Sequence, residues 1–220
     1  ELSTYSSVGS GYRGFIKNFN VDSLKEIFND RNNEENKIGN GIVTTLDPSI
    51  QQAAYNGLKN LGGYKGAAVA INPKTGEILA LVSMPTYDPN NLDSAMEAAN
   101  SGKDSSNALI NRTLNGKYPP GSTFKTVTTT SALQNISGIQ SRIFEDNGVL
   151  DLGGGFTLPN VKKVANGSID LKTAFMRSSN VVFGSLALEL GNDKLKETAE
   201  KFGFNKDIPA TGLSISQSVF

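Results

Sequence analysis

The alternation of apolar and polar positions is weak at the start of the chain and strong after it. Residues 1–12 are rich in Ser, Gly and Tyr, and residues 29–40 form a polar, Asn-laden run around a short helix expected at 21–28. Regular patterning opens at Gly41. Residues 42–46 (IVTTL) predict a strand, and Asp47-Pro48 then offers an N-cap followed by proline at the first helical position. Ile50, Ala53, Ala54, Leu58 and Leu61 recur at three- and four-residue steps, so an apolar stripe predicts a helix that runs until Gly62-Gly63. Residues 67–71 and 77–84 are apolar runs joined by the turn residues Asn72-Pro73-Lys74-Thr75-Gly76, the pattern of a hairpin with two central strands.

Residues 85–121 are mostly polar and irregular, with one short helix expected near 107–113; loops of such length usually carry function. Residues 122–134 predict a helix despite Thr126, Thr128, Thr129 and Thr130, because burial against a close partner overrides the low propensity of β-branched side chains. Asn147-Gly148 and Gly153-Gly154-Gly155 punctuate a loop or small hairpin. Residues 171–177, 181–190 and 193–202 predict three consecutive helices, with Gly203 capping the last. With no internal repeat, the organisation is mixed strand and helix.

Composition narrows the chemistry. Hydrophobic residues make up 37% of the 220 and charged residues 19%, a globular balance. Lysine plus arginine equals aspartate plus glutamate at 21 each, so no net positive field exists to gather nucleic acid. The absence of cysteine removes disulfides, thiolate nucleophiles and Cys-bound zinc, and the absence of histidine removes Ser-His-Asp catalysis and His-ligated metals. No cofactor is expected. No apolar run of about 18 residues occurs, and residues 1–11 lack the basic-then-apolar signal-peptide pattern, so the chain as it stands is expected to be soluble.

Without histidine, an activated nucleophile needs another base. Ser122-Thr123-Phe124-Lys125, after Tyr118-Pro119-Pro120-Gly121, sets a hydroxyl in the first turn of the expected helix with an amine one turn later on the same face. A neutral Lys125 could take the Ser122 proton, and the helix N-terminus would favour a developing oxyanion. For that, burial or a neighbouring cation must lower the lysine pKa. Taken alone, this spacing more often marks a capped helix with a solvated lysine. Ser178-Ser179-Asn180, between two expected helices, is alone most often a cap or turn; the two motifs in this order are far rarer than either.

The blocks YPPGSTFK and SSN, preceded by INPKTGEILALVSMPTYDPN and TLDPSIQQAAYNGL, resemble the transpeptidase domain of class B penicillin-binding proteins across residues 41–220. The resemblance implies an α/β (mixed α+β) fold of the penicillin-binding protein and serine β-lactamase type. Its antiparallel sheet, flanked by helices, would be incomplete here because the C-terminal strands are absent. Residues 1–40 would be a linker or the remnant of an upstream pedestal domain. Residue by residue, it implies that Ser122 forms an acyl-enzyme with the D-Ala-D-Ala end of a peptidoglycan stem peptide and that Lys125 is its base. Ser178 would relay a proton to the departing D-alanine, Asn180 would hold Lys125 and the substrate backbone, and the Ser122 N–H would supply half of an oxyanion hole. Ser122, Ser178 and Asn180 thus double as substrate-binding residues. An amine from a neighbouring stem peptide then completes the cross-link, and β-lactam antibiotics would trap the same serine. Further implied partners are a membrane glycan polymerase and an anchor upstream of Glu1 that places the enzyme on the outer face of the cell membrane. Arg112 resembles a family position that braces the site, and a structural role is its first reading.

The family's Lys-[Ser/Thr]-Gly strand is expected after the S-x-N motif, and residues up to Phe220 do not contain it. These residues alone are therefore not expected to turn over substrate. The missing strands would leave the hairpin with an unpaired, apolar edge, to be completed by a second chain or by self-association. Lys74-Thr75-Gly76 spells the motif but sits in a turn before the serine, and is expected to be structural. Gly153-Gly154-Gly155 lacks the context of a phosphate loop, and sequons at Asn111, Asn135 and Asn166 arise readily by chance. Rival readings are a β-lactamase or carboxypeptidase of the same superfamily, and a non-catalytic β-lactam sensor or cell-wall assembly scaffold.

Overall fold

Asp47 opens the first regular element as its sequence predicts: its carboxylate accepts from Ser49 N and Ile50 N at 2.8 and 3.1 Å, with Pro48 entering the first turn. A computed structural model describes residues 43–62, 65–101, 107–209 and 213–220. The expected linker at 1–40, with its helix at 21–28, lies outside the described residues. The chain divides into two units, Glu1–Lys117 with Pro209–Ser216, and Tyr118–Ile208 with Gln217–Phe220.

In the first unit, helix α1 (Pro48–Lys59) packs on an antiparallel pair, β1 (Gly66–Ile71) and β2 (Ile78–Met84). Short helices α2 (Leu92–Asn100) and α3 (Arg112–Asn115) follow. The strand expected at 42–46 does not form over its described residues. Thr45 Oγ1 and Asp47 N instead donate singly to Ile78 O and Leu79 O, at 2.7 and 2.9 Å, which tethers the segment to β2 without a ladder. Gln51 of α1 supplies a strand-like partner: its amide donates to Leu81 O at 3.1 Å and accepts from Leu81 N at 2.8 Å. The α1 stripe is half-buried at Ala54 and Leu58, while Ile50 and Leu61 are exposed.

The β1 and β2 strands are not central among the described residues, where each pairs only with the other. Ala80, Leu81 and Val82 are buried, whereas Val69 and Ile71 of β1 remain 45% and 55% exposed, which matches the expected open apolar edge. Asn72 closes the hairpin by accepting from Gly76 N at 2.8 Å and donating to Glu77 O at 2.9 Å, so Lys74-Thr75-Gly76 is turn, as expected. Helix α2 is an element that the reading of residues 85–121 as a mostly irregular stretch missed. Asp88 accepts from Asn90 N at 2.9 Å and Pro89 opens the 3-10 turn ahead of α2, a start signal that was legible in the sequence.

The second unit is built on two helices. A 3-10 turn (Gly121–Phe124) leads into α4 (Lys125–Asn135), which packs along α6 (Asn180–Lys201); between them come β3 (Ile143–Asp146), β4 (Val149–Gly153), β5 (Phe156–Pro159), β6 (Gly167–Asp170) and α5 (Leu171–Met176). β3 pairs with β6 and β4 with β5, each pair antiparallel. The threonines of α4 are accommodated by back-bonding: Thr128, Thr129 and Thr130 hydroxyls donate to the carbonyls of Phe124, Lys125 and Thr126. Val127, Thr128, Ser131 and Ala132 make its buried face.

The two long helices expected at 181–190 and 193–202 are one element broken at Gly191, whose φ of 72° and ψ of 170° lie outside the helical region. The helix ends with Gly203 N on Glu200 O and Phe204 N on Ala199 O, the paired bonds of a glycine C-cap. Ile139, Ile169, Leu171, Ala174, Val182, Phe183, Leu186, Leu190 and Leu195 form a continuous core. Helix α6 approaches the β4–β5 hairpin closely. A Cβ on Gly184 would lie 2.7 and 2.8 Å from the side chains of Leu158 and Leu150.

Gly148 allows the chain to leave β3: its φ is +87°, and a Cβ there would meet Lys163 O at 2.4 Å. Gly148→Ala is expected to lower stability by about 3 kcal/mol, through left-handed strain and a backbone clash. Gly57→Ala is the contrasting case, a helical position with nothing within 4 Å of the added carbon. It is expected to raise stability by about 0.5–1 kcal/mol. Urea melts of the two variants beside the parent check both signs.

Candidate active site

The hydroxyl and amine of the first motif meet through a 3-10 turn, and not through an α-helical turn as the spacing suggested. Pro119 and Pro120 precede the turn, Thr123 returns both its N–H and its hydroxyl to Pro120 O at 3.3 and 2.6 Å, and α-geometry begins only at Lys125. In a 3-10 turn, side chains three residues apart eclipse one another. Lys125 Nζ accordingly lies 3.4 Å from Ser122 Oγ.

The second motif arrives from the turn between α5 and α6. Ser179 caps α6, its Oγ accepting from Val182 N at 3.0 Å, and its own N–H bonds Ala174 O at 2.9 Å. Ser178 is forced into the left-handed region, with φ of 53°, a conformation that costs a non-glycine residue about 1 kcal/mol or more. The strained backbone turns both the carbonyl and the hydroxyl of Ser178 toward Lys125, at 2.7 and 2.9 Å from Nζ. Asn180, in the first turn of α6, accepts from the same Nζ at 2.7 Å and donates through Nδ2 to Pro159 O at 2.9 Å. Ser178 Oγ lies 3.1 Å from Ser122 Oγ. Ser122, Lys125, Ser178 and Asn180 therefore form one constellation within the second unit.

The geometry at Nζ has a chemical consequence. Ser178 O and Asn180 Oδ1 can only accept, so two N–H bonds of Lys125 are committed to them. The remaining position faces the hydroxyls of Ser178 and Ser122, which can donate or accept. On a neutral amine that position is a lone pair directed at a hydroxyl proton. Burial lowers the Lys125 pKa from its ordinary 10.5. The four oxygens around Nζ are uncharged, while the Phe183 ring 5.5 Å away favours the cation. Ser122 and Ser178 are exposed, and Lys125 and Asn180 are half-buried.

Arg112 lies in the first unit, 7% exposed, where its Nη1 donates to Asn107 O and Ile110 O and its N–H to Ser83 Oγ, contacts that suit a structural role. Gly154 and Gly155 form the tip between β4 and β5. Of the sequon asparagines, Asn111 caps α3 and Asn166 donates to Asp146. Among the described residues no group of acidic side chains could hold a metal, and no helix is long and apolar enough to cross a membrane.

Sequence reasoning missed the polar cluster behind the second motif. Asp146, Asn160, Asn166 and Ser179 converge there, as Asp146 Oδ1 and Oδ2 accept from Asn160 Nδ2 at 2.7 and 2.9 Å and Oδ2 accepts from Asn166 Nδ2 and Ser179 Oγ at 2.6 Å each. No local spacing announces it, because the partners stand 14, 20 and 33 residues from Asp146.

Comparison with known proteins supports the family resemblance. The penicillin binding protein transpeptidase domain model matches residues 66–218. Peptidoglycan D,D-transpeptidase PbpA of Mycolicibacterium smegmatis is 38% identical over 191 residues, which cover 82% of this chain and 39% of that protein. The chain thus spans about two fifths of that relative's length. Among solved structures, the D,D-transpeptidase domain of a peptidoglycan glycosyltransferase from Eggerthella lenta superposes with a TM-score of 0.75 at 40% identity, covering 84% of this chain and 43% of that one. The imipenem acyl-enzyme of penicillin-binding protein A from M. tuberculosis superposes with a TM-score of 0.76 at 31% identity, covering 91% and 48%.

Proposed function

Because this chain belongs to the penicillin binding protein transpeptidase family, we propose that it carries the nucleophile of a class B peptidoglycan D,D-transpeptidase. The observation that bears most on this reading is the Lys125 amine, whose two fixed acceptors leave one position aimed at the hydroxyls of Ser122 and Ser178.

Neutral Lys125 takes the proton of Ser122 Oγ, directly across 3.4 Å or through Ser178 at 2.9 and 3.1 Å. The Ser122 oxygen attacks the carbonyl between the two D-alanines of a stem peptide. As the C–N bond breaks, Ser178 passes a proton from Lys125 to the departing D-alanine amine, leaving an ester on Ser122. An amine of a neighbouring stem attacks the ester, its proton passes to Lys125, and Ser122 leaves as the restored hydroxyl. Asn180 holds the amine in register and offers its amide to the substrate backbone. The Ser122 N–H serves as one oxyanion donor, and a Lys-[Ser/Thr]-Gly strand, from further sequence or from a second chain, supplies the other.

One relative is named a peptidoglycan D,D-transpeptidase and another forms an imipenem acyl-enzyme, which supports peptidoglycan stem peptides as substrate and β-lactams as covalent ligands here. Peptidoglycan is cross-linked outside the cytoplasm, so the site belongs on the extracytoplasmic face of the membrane, where a membrane glycan polymerase is a suitable partner. The test is to give the intact protein a D-Ala-D-Ala stem peptide with an acceptor amine. Release of D-alanine together with a cross-linked dimer is expected. D-alanine release with only hydrolysed stem would favour a carboxypeptidase, and covalent β-lactam binding with no D-alanine release would favour a sensor or scaffold.

A further inference from the structure

Asp146 touches none of the reacting groups, yet both residues that cap the helix bearing Asn180 are held by it. Its carboxylate is fully buried and accepts from four groups: Asn160 Nδ2, Asn166 Nδ2, Ser179 Oγ and, at 2.9 Å, Gly148 N. Burial alone would raise its pKa, but the hydrogen bonds from Asn166, Ser179, Asn160 and Gly148 outweigh it and hold the group below the usual carboxylate range. Asp146 is therefore an anion at neutral pH, an acceptor with nothing to donate.

That single polarity orients everything beyond it. Since the carboxylate can only accept, the Asn160 amide must turn its nitrogen inward, to Asp146 and to Val164 O at 2.8 Å. Its oxygen then faces outward and accepts from Asn180 N at 2.7 Å and Val181 N at 3.2 Å. Ser179 gives its proton to Asp146, which leaves its lone pairs for Val182 N at 3.0 Å. Three N–H groups at the start of α6, which lack partners within the helix, thus receive acceptors whose direction one carboxylate sets. Ser178 immediately precedes these caps and Asn180 lies inside them; together they hold Lys125.

We infer that Asp146 is a positioning residue for acyl transfer, acting through Asn160 and Ser179 to fix the start of α6 and with it the places of Ser178 and Asn180 around Lys125. The inference rests on the proposed acyl-transfer reading and adds a residue to it. Replacing Asp146 by asparagine puts two donors where four already converge. Because Asn160 Nδ2 lies 2.7 and 2.9 Å from the two carboxylate oxygens, the new NH2 faces the Asn160 NH2 whichever way the residue 146 amide turns, and pushes Asn160 off the position from which its oxygen serves Asn180 N and Val181 N.

The experiment measures the acylation rate constant of the intact protein at saturating fluorescent penicillin, separately from the affinity of the initial non-covalent complex. Asp146→Asn is expected to slow acylation by about 10²-fold with little change in initial affinity, as a small misplacement of catalytic groups does. The double variant Asp146→Asn with Asn160→Asp restores an acceptor facing both residue 146 and the helix N–H groups. It is expected to recover at least about tenfold of the lost rate. Leu195→Ala, a core truncation beyond the Gly191 break, controls for stability alone: its melting temperature falls while its rate constant stays at the parent value. Should Asp146→Asn not fold, Ser179→Ala removes one donor and one cap, and is expected to slow acylation about tenfold. Parent-like acylation in a folded Asp146→Asn protein, no recovery in the double variant, or an equal slowing in Leu195→Ala would each overturn the inference while leaving the acyl-transfer reading intact. A parent protein that takes no label would overturn both.

Discussion

Lys125→Ala is expected to slow acylation of Ser122 by a β-lactam about 10³-fold at neutral pH, within the range that a positioned general base contributes. The substitution removes the amine that stands 3.4 Å from Ser122 Oγ and 2.9 Å from Ser178 Oγ, and no other described base bonds either hydroxyl. In the parent, the acylation rate should climb with pH as the lysine sheds its proton. Burial lowers its folded pKa, so the midpoint of that climb falls below 10.5. Unfolded Lys125 keeps its proton in the interval between the folded pKa and 10.5, where the folded state has lost it, so the lysine's contribution to stability improves as pH rises through that interval. Below it, the folded protein bears the cost of partly burying a charge, and Lys125→Ala is expected to melt near the parent temperature. A rate profile unchanged by the substitution would place the base elsewhere.

Ser122→Ala is expected to abolish covalent labelling altogether while leaving the fold as stable as the parent. The side chain is exposed, and its loss leaves Lys125 with its three bonds to Ser178 and Asn180. Denaturing gels after incubation with fluorescent penicillin would show the parent band and no variant band, with matching melting curves. Persistent labelling of the variant would mean that another residue, Ser178 being the nearest hydroxyl, acts as nucleophile.

Much of this arrangement was legible because its signals are local. Asp47-Pro48 announced α1, the turn at 72–76 announced the hairpin, and Gly203 ended α6. The four residues singled out at Ser122, Lys125, Ser178 and Asn180 come together although the two motifs stand 53 to 56 residues apart. What local pattern could not supply was set by long-range partners. The segment at 43–46 has strand composition but found single bonds to β2 in place of a ladder, and Gln51 took a strand's place at Leu81. Helix α2 was missed although Leu92, Ala95, Met96 and Ala99 repeat at helical spacing, because the polar, proline-bearing residues around it read as one long loop. The 3-10 turn at Ser122 was misread as α-helix since both geometries align residues three apart. Asp146 and Asn160 carry no local signal in the sequence and Asn166 only a sequon; the fold alone brings them to Ser179.

The central claim is that Ser122 is the acylated residue, and peptide mapping by mass spectrometry tests it most directly. The intact protein is incubated with a penicillin, digested, and searched for a peptide heavier by the whole antibiotic, since ring opening adds the β-lactam without losing an atom. The predicted result is one adduct, on the peptide containing Ser122 and localised to that side chain by fragmentation. An adduct on Ser178 or on any other residue, or an unmodified Ser122 peptide after prolonged exposure, would contradict it.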